Sequence, residues 1–572
     1  MGHAVVDILG ARMNFMSRVC ATPCHHLMQL SQSRFTRFST ICALALAASP
    51  LAASPLAAQN KAGSAQVVPP LATGWWNVVT VLADDSLRGR ATGTDDYLKA
   101  AKYVAQEFQK AGLTPAGTDG YFQTAHLSTA RLVPEHSGIA LVTNGVADTL
   151  KLGTDASIML STTTVPRAEG PMVFVGYGLH FPGVRDDLGS TSVRGKVAVY
   201  LNRLPSGLNA TIMAHSRSGR WEALRAAGAI AAIAITEPPA AGGRGGRGGA
   251  GAAGPRPANG LADDPTGGGV MITVPDSAAA RLFAGSGHTY AELVSLANKD
   301  SAAVLPTFAL VPTLNVWTEL AKTPLEAPNV LGMLRGSDPA LRDQYVIVSA
   351  HLDHLGVGRA VDGDSVYNGA MDNASGIATM IETARAFHNR HIAPKRSLIF
   401  AAVTAEERGE LGSAYFATHP TVPVGQIVAD LNTDMWEPQI PLVGVFGYGA
   451  DESDLGVDLR QALKLHNLTL MEDPHPEQVR FIRSDQYSFI KRGIPALALK
   501  IGYLPGSPGD SVIAEWNRVR YHKPSDDLDQ PVDFNAAIAF DAMYIDLVHL
   551  VADRPTRPAW VKGSVFATGV HP

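Results

Sequence analysis

Apolar residues run along this chain in two rhythms, and the change falls at about residue 325. Ahead of it, Thr94 opens a stretch in which Tyr97, Ala101, Val104, Phe108 and Ala111 recur at three- and four-residue spacing, until Gly112 ends it. That spacing lays an apolar stripe along a helix. Between about 130 and 315 the apolar runs are short (172–175, 196–201, 230–236) and turn residues separate them. This predicts a compact β-rich domain with one helix near 220–227. Beyond 325, strands at 345–350, 398–403, 427–431 and 496–499 alternate with helices at 377–387 and 536–551. The expected fold class is α/β: a mostly parallel, helix-covered sheet with an inserted β-rich domain.

On this reading the chain divides into a leader (1–58), a tether (59–72), a first part of the main domain (73–130), the insert (131–315), the rest of the main domain (316–555) and a tail (556–572). The leader places Arg34 and Arg37 before an apolar run at 41–48 and a small-residue tract at 49–58. That order is a secretory signal, with cleavage expected near Ala58 and Met13 or Met28 a more ordinary start than Met1. Pro50 and Pro55 would break a buried helix there. The expected location is periplasmic or secreted. Cys20, Cys24 and Cys42, the whole complement of three, lie in the leader, so the mature chain would have no thiol and any metal ligands would be nitrogen and oxygen. After residue 60 no eighteen-residue stretch is uninterruptedly apolar, so no membrane anchor is expected. A net charge of −5 gives no reason to expect nucleic acid as a partner. The GGRGGRGG run inside 240–260 has two arginines and no interleaved aromatics, and reads as a flexible surface loop, not an RNA-binding segment.

In open α/β sheets ligands bind beyond the carboxyl ends of the strands. Here the polar residues gather at those ends: His351-Leu-Asp353-His354 after 345–350, Glu406-Glu407 after 398–403, and Asn432-Thr-Asp434 after 427–431. Between the first two, Asn368-Gly-Ala-Met-Asp372-Asn-Ala-Ser-Gly376 leads into a helix, and Tyr521-His522 follows the last strand. Taken singly, Asp372 reads as a helix N-cap and Glu406-Glu407 as a solvated turn. Taken together, carboxylates and imidazoles on one sheet edge would repel and shift their pKa values, and a pair of divalent ions removes that conflict.

HLDHLG at 351–356, NGAMDNASG at 368–376, TAEERGELGS at 404–413, NTDM at 432–435, SDQYSF at 484–489, GIPAL at 493–497 and YHKPSDD at 521–527 resemble the M28 family of zinc peptidases. The segment from LRGRATG to GLTPAG (87–117) is similar to that family's N-terminal entry, and VRGKVAVYLNR (193–203) with ALRAAGAIAAIAI (223–235) is similar to a protease-associated (PA) domain. The resemblance implies two zinc ions, with His351 and Asp434 on one, Glu407 and His522 on the other, and Asp372 bridging both. It also implies Glu406 as the general base acting on a water between the ions. Asp353 is expected to accept the second ring N–H of His351, and His354 to lie beside the ligands, not among them. Tyr521, next to a ligand, is expected either to hydrogen-bond the developing oxyanion or to pack.

The expectation for function is a two-zinc aminopeptidase acting on peptides. The other readings are a carboxypeptidase of the same family, a single-zinc transferase resembling glutaminyl cyclase, and a metal-binding homologue without catalysis. A carboxypeptidase would hold the substrate carboxylate with arginine, for which Arg480, Arg483 and Arg518 are near enough in sequence.

Overall fold

The computed structural model describes residues 68–181, 185–208, 210–237, 257–264 and 268–568. The leader, most of the tether and residues 240–256 of the glycine-rich stretch lie outside them.

The larger of two main sheets runs, from edge to edge, Ala258–Leu261, Phe122–Leu132, Leu320–Leu334, Ser397–Val403, Tyr345–His351, Ile427–Thr433, Ala496–Ile501, Gly444–Tyr448 and Thr469–Met471. The expectation of a mostly parallel sheet is corrected. Only the centre, from Ser397–Val403 to Ala496–Ile501, is continuously parallel; the strands from Ala258–Leu261 to Leu320–Leu334 join it antiparallel, and so does Gly444–Tyr448. The reason is visible in burial. Central strands such as Tyr345–His351 are buried at every residue, so they read as continuous apolar runs. Phe122–Leu132, in the antiparallel flank, largely alternates buried with exposed positions and gives no such run.

Helices Thr73–Leu82, Asp95–Lys110, Ser375–Asn389 and Phe534–Asp553 supply much of the main core around Trp75, Phe108, Phe400 and Phe540. Thr94 caps the second of these by accepting the Tyr97 N–H at 3.1 Å, with Asp95 and Asp96 in the first turn to complement its dipole. Trp436 stacks on Phe540 with ring centroids 4.2 Å apart. Phe400 is fully buried between faces, so Phe400→Ala would cost about 3–5 kcal/mol. The Phe534–Asp553 helix is long and apolar enough to cross a membrane, but Phe540, Tyr544 and Val548 are buried in this core.

The second sheet, of eight strands between Gly138 and Trp317, has its own core around Phe174, Val199, Ile233 and Ile272. Its expected single helix is found at Arg220–Ala226, but Ala210–Ser218 and Tyr290–Lys299 are helical as well. Tyr290–Lys299 buries only Leu293 and Ala297, too thin a stripe to stand out, although its capping box of Thr289 and Glu292 is a legible start signal. The loop expectation for 240–260 is also corrected at its end: Ala258–Leu261 pairs with Phe122–Leu132. Residues 556–568 are not a free tail, because the Trp560 indole donates to the Gly493 carbonyl at 2.8 Å and Phe566 is buried.

Candidate metal centre

The parallel centre delivers its strand ends to one place. Tyr345–His351 ends on His351 itself, and Ile427–Thr433 runs straight into Asp434. After Ser397–Val403 the chain doubles back at Ala405 (φ 57°), which turns Glu406 and Glu407 towards the same point. Asp372 arrives from the turn before helix Ser375–Asn389, and His522 from the loop after helix Pro508–Val519. Asp372 is not an N-cap: Asn373 instead accepts the Gly376 N–H at 3.1 Å.

The five expected ligands meet. His351 Nε2 stands 3.3 Å from Asp372 Oδ1 and 3.3 Å from Asp434 Oδ1. His522 Nε2 stands 3.2 Å from Asp372 Oδ2 and 3.2 Å from Glu407 Oε2. The two oxygens of Asp372 therefore face two separate donor groups. His354 enters the second group more closely than the sequence suggested, its Nδ1 2.9 Å from Glu407 Oε1 and 4.0 Å from Asp372 Oδ2.

Asp353 does something other than expected. The His351 Nδ1 meets the backbone carbonyl of Asp353 at 3.1 Å, while the Asp353 carboxylate accepts the Glu406 N–H at 3.1 Å and the Thr92 hydroxyl at 2.9 Å. The strand stops at His351, so the side chain two residues on turns towards the Glu406 loop and away from the ring. Tyr521 packs: its ring stacks on His522 with centroids 4.0 Å apart.

Several supports had no role in the sequence reading. Fully buried Arg90 donates to the carbonyls of Leu352 (2.7 Å), Gly369 (2.7 Å), Asp372 (3.3 Å) and Asn368, tying the His351 loop to the Asp372 turn. Asp526 accepts the N–H groups of Met371 (2.9 Å) and Asp372 (3.0 Å), and is itself held by Gln530 at 2.6 Å. Both lie inside motifs already singled out, LRGRATG and YHKPSDD, but nothing in one sequence says that these side chains reach backbone more than 150 residues away.

Electrostatics at the centre are severe. Burial pushes the Glu406 carboxyl well above its ordinary range, and the charges of Asp434 and Glu407 push it further, with His351 in opposition. Burial would raise Asp372 too, but the imidazoles of His354, His351 and His522 overcome it and hold that carboxyl well below normal. Glu407 falls to about 2, burial and the charge of Asp372 being outweighed by the adjacent imidazoles of His354 and His522. His522 rises to about 9, since its carboxylate partners outweigh its burial.

The donor set fits zinc. It holds nitrogen and carboxylate oxygen only, in two groups (His351, Asp372, Asp434 and His354, Asp372, Glu407) whose donor atoms lie within 4.8 Å of one another. Separations of 3.2–3.3 Å match the edge of a tetrahedron with bonds of about 2.0 Å, roughly 3.3 Å. His354 Nδ1 and Glu407 Oε1 are buried and 2.9 Å apart without hydrogen-bond geometry, and His354 Nε2 is buried with no hydrogen bond, an arrangement whose cost a bound cation would remove.

Residues 329–548 match Peptidase family M28. The chain is 34% identical over 113 residues to a probable zinc metalloprotease of Pyrenophora teres f. teres, covering 20% of this chain and 23% of that protein. It is 26% identical over 270 residues to a probable leucine aminopeptidase 2 of Aspergillus oryzae, covering 46% and 45%. The matched stretches thus span less than half of either relative's own length. The solved aminopeptidase of Aneurinibacillus sp. strain AM-1 aligns over 85% of this chain and 95% of that one, at 18% identity and a TM-score of 0.41, too loose a superposition for residue comparison.

Proposed function

With residues 329–548 forming a segment of peptidase family M28, we propose that the chain is a zinc-dependent aminopeptidase that binds two ions. One observation carries the reading: the two oxygens of Asp372 face separate clusters, His351 with Asp434 and His522 with Glu407 and His354. The bound ions would supply Lewis acidity, acidifying a water and polarising the scissile carbonyl. The chain's own residues do the rest. His351 is oriented by the Asp353 carbonyl so that Nε2 faces the carboxylates. Glu406, positioned by its N–H on Asp353, accepts the proton of the attacking water and passes it to the departing amine. Tyr521, stacked on His522, fixes the angle of that ring.

The separate eight-stranded sheet supports reading the insert as a PA-like domain attached to the peptidase, and the order of basic, apolar and small residues from Arg34 to Ala58 supports an exported protein. The test is zinc content and hydrolysis measured on one sample, with leucyl anilide, its acetylated form and N-terminal glutamine peptides. About two zinc ions per chain and cleavage of the unblocked anilide, but not of its acetylated form, are expected. One ion with cyclisation of glutamine would replace this reading with the transferase. Equal cleavage of the acetylated form would remove the aminopeptidase assignment.

A further inference from the structure

The cleft over the metal centre continues into a pocket whose walls carry a charge of their own. Asp372, Glu406 and Asp434 line its metal end. Away from them the lining includes Arg480, Arg483 and Lys500 and not one acid. Arg518, the third arginine near the motifs, is elsewhere: it is largely exposed and paired with Glu515 at 2.6 Å.

Arg480 and Lys500 are held in place by their neighbours, and the carboxylates beside them lie outside the pocket lining. Arg480 donates to the Tyr448 hydroxyl at 3.0 Å and to Gln478 Oε1 at 2.9 Å, which fixes the guanidinium. Its nearest carboxylate, Asp473, is 3.9 Å away and outside the pocket lining. Lys500 sits on the Ala496–Ile501 strand with its ammonium 3.7 Å from the buried Glu437, also outside the lining. Neither separation is a hydrogen-bonded ion pair. The side chains of Arg480 and Lys500 are only 17% and 13% exposed, so water compensates them poorly. An apolar substrate side chain here would strip away more water and offer no partner. A carboxylate would complete both cations, with the planar guanidinium suited to two parallel hydrogen bonds.

We propose that this pocket selects peptides by a substrate carboxylate bound between Arg480 and Lys500, which makes the enzyme specific for an acidic group beside the scissile bond. The proposal rests on the peptidase reading of the adjoining metal centre. Two chemical sources fit: the side chain of an N-terminal glutamate or aspartate, or the free C-terminal carboxylate of a dipeptide.

Steady-state kinetics on the zinc-loaded full chain separates them. One arm compares glutamyl with glutaminyl anilide, which lack any C-terminal carboxylate; the other compares alanyl-alanine with its amide. The charged member of one arm should be favoured in kcat/KM by about ten- to a hundred-fold, as expected for hydrogen bonds to a charged group. Arg480→Gln and Lys500→Met should each pull that ratio towards one. Because the ratio is taken within each variant, lost folding does not alter it. Equal rates for charged and neutral members in both arms, or a ratio that survives both substitutions, would overturn the proposal while leaving the peptidase intact. Failure to cleave any of the four by protein that holds zinc would sink the peptidase reading and this inference with it.

Discussion

The two sheets of this protein are built alike. In each, a four-strand parallel centre is flanked by antiparallel strands: Ser397–Val403, Tyr345–His351, Ile427–Thr433 and Ala496–Ile501 in one, Arg167–Val175, Val197–Leu201, Ala231–Thr236 and Val270–Pro275 in the other. Both bury apolar strands under helices, yet only one collects chemistry at its strand ends. Beyond Val197–Leu201 and Ala231–Thr236, Arg203 pairs with Glu237 and donates to Asn298 at 2.7 Å, while Arg220 reaches Asn202 at 3.1 Å. Arg203 and Glu237 satisfy each other, and of the Arg220 nitrogens Nε alone is buried without a hydrogen bond. At the corresponding edge of the larger sheet, carboxylates outnumber imidazoles, and His354 and Glu407 keep buried ligand atoms that make no hydrogen bond. The parallel sheet thus supplies a place, and an unsatisfied excess of ligand atoms makes it a site.

The comparison breaks most sharply at paired strand-end acids. Glu406→Gln should lower kcat by about 10²–10⁴-fold, because it deletes a proton acceptor, with the zinc content of the purified variant unchanged. The matching change in the other sheet, Glu237→Gln, removes a half-exposed pairing with Arg203 and should leave kcat within about twofold, at a stability cost of about 0–1 kcal/mol. Comparable losses from both would show that the insert takes part in the chemistry.

Removing the metal should expose the same difference in stability. Chelation should abolish hydrolysis, and zinc should restore it. Zinc present at about a hundred times its dissociation constant should stabilise the fold by about 2.7 kcal/mol, read as a rise in unfolding temperature. A melting curve indifferent to chelator would deny that the buried donors hold an ion.

A smaller effect belongs to the supports. Asp526→Asn replaces one of two acceptors holding the Met371 and Asp372 N–H groups with an amide donor. Activity or zinc affinity should fall about 10–100-fold, with the insert's circular dichroism unaltered. Wild-type activity would reduce Asp526 to packing.

The smallest expected effect is a pH-dependent one, away from the metal. Burial pushes Asp541 up to about 8, while Thr379 donates to it at 2.7 Å. Between the ordinary carboxyl range and about pH 8 the unfolded chain gives up this proton and the folded chain keeps it, so stability falls as pH rises through that window. Asp541→Asn should therefore stabilise by about 1–3 kcal/mol at pH 8.5 and little near pH 4. A gain equal at both pH values would mean the carboxyl is not held neutral.

The sequence alone determined the central strands and the helices Asp95–Lys110, Ser375–Asn389 and Phe534–Asp553, because those signals are local, while the ligand roles of the five residues that meet at the centre came from the family resemblance. A fully buried strand writes itself as an unbroken apolar run, and a ligand on such a strand's end follows within a few residues, as Asp434 follows Ile427–Thr433. Only the tertiary structure decided what depends on distant partners. The antiparallel flank formed by Phe122–Leu132 and Leu320–Leu334 joins segments separated by the whole insert. The true task of Asp353 turned on where the strand stops, and the roles of Arg90 and Asp526 on backbone far along the chain. The cationic pocket wall was only half legible: Arg480 and Arg483 are near the motifs in sequence, as is Arg518, but only the packing of a loop against a strand separates them from Arg518, brings in Lys500 and leaves the counter-ions of Arg480 and Lys500 outside the lining. Periodicity records which face of an element is buried; it carries no record of what that face meets.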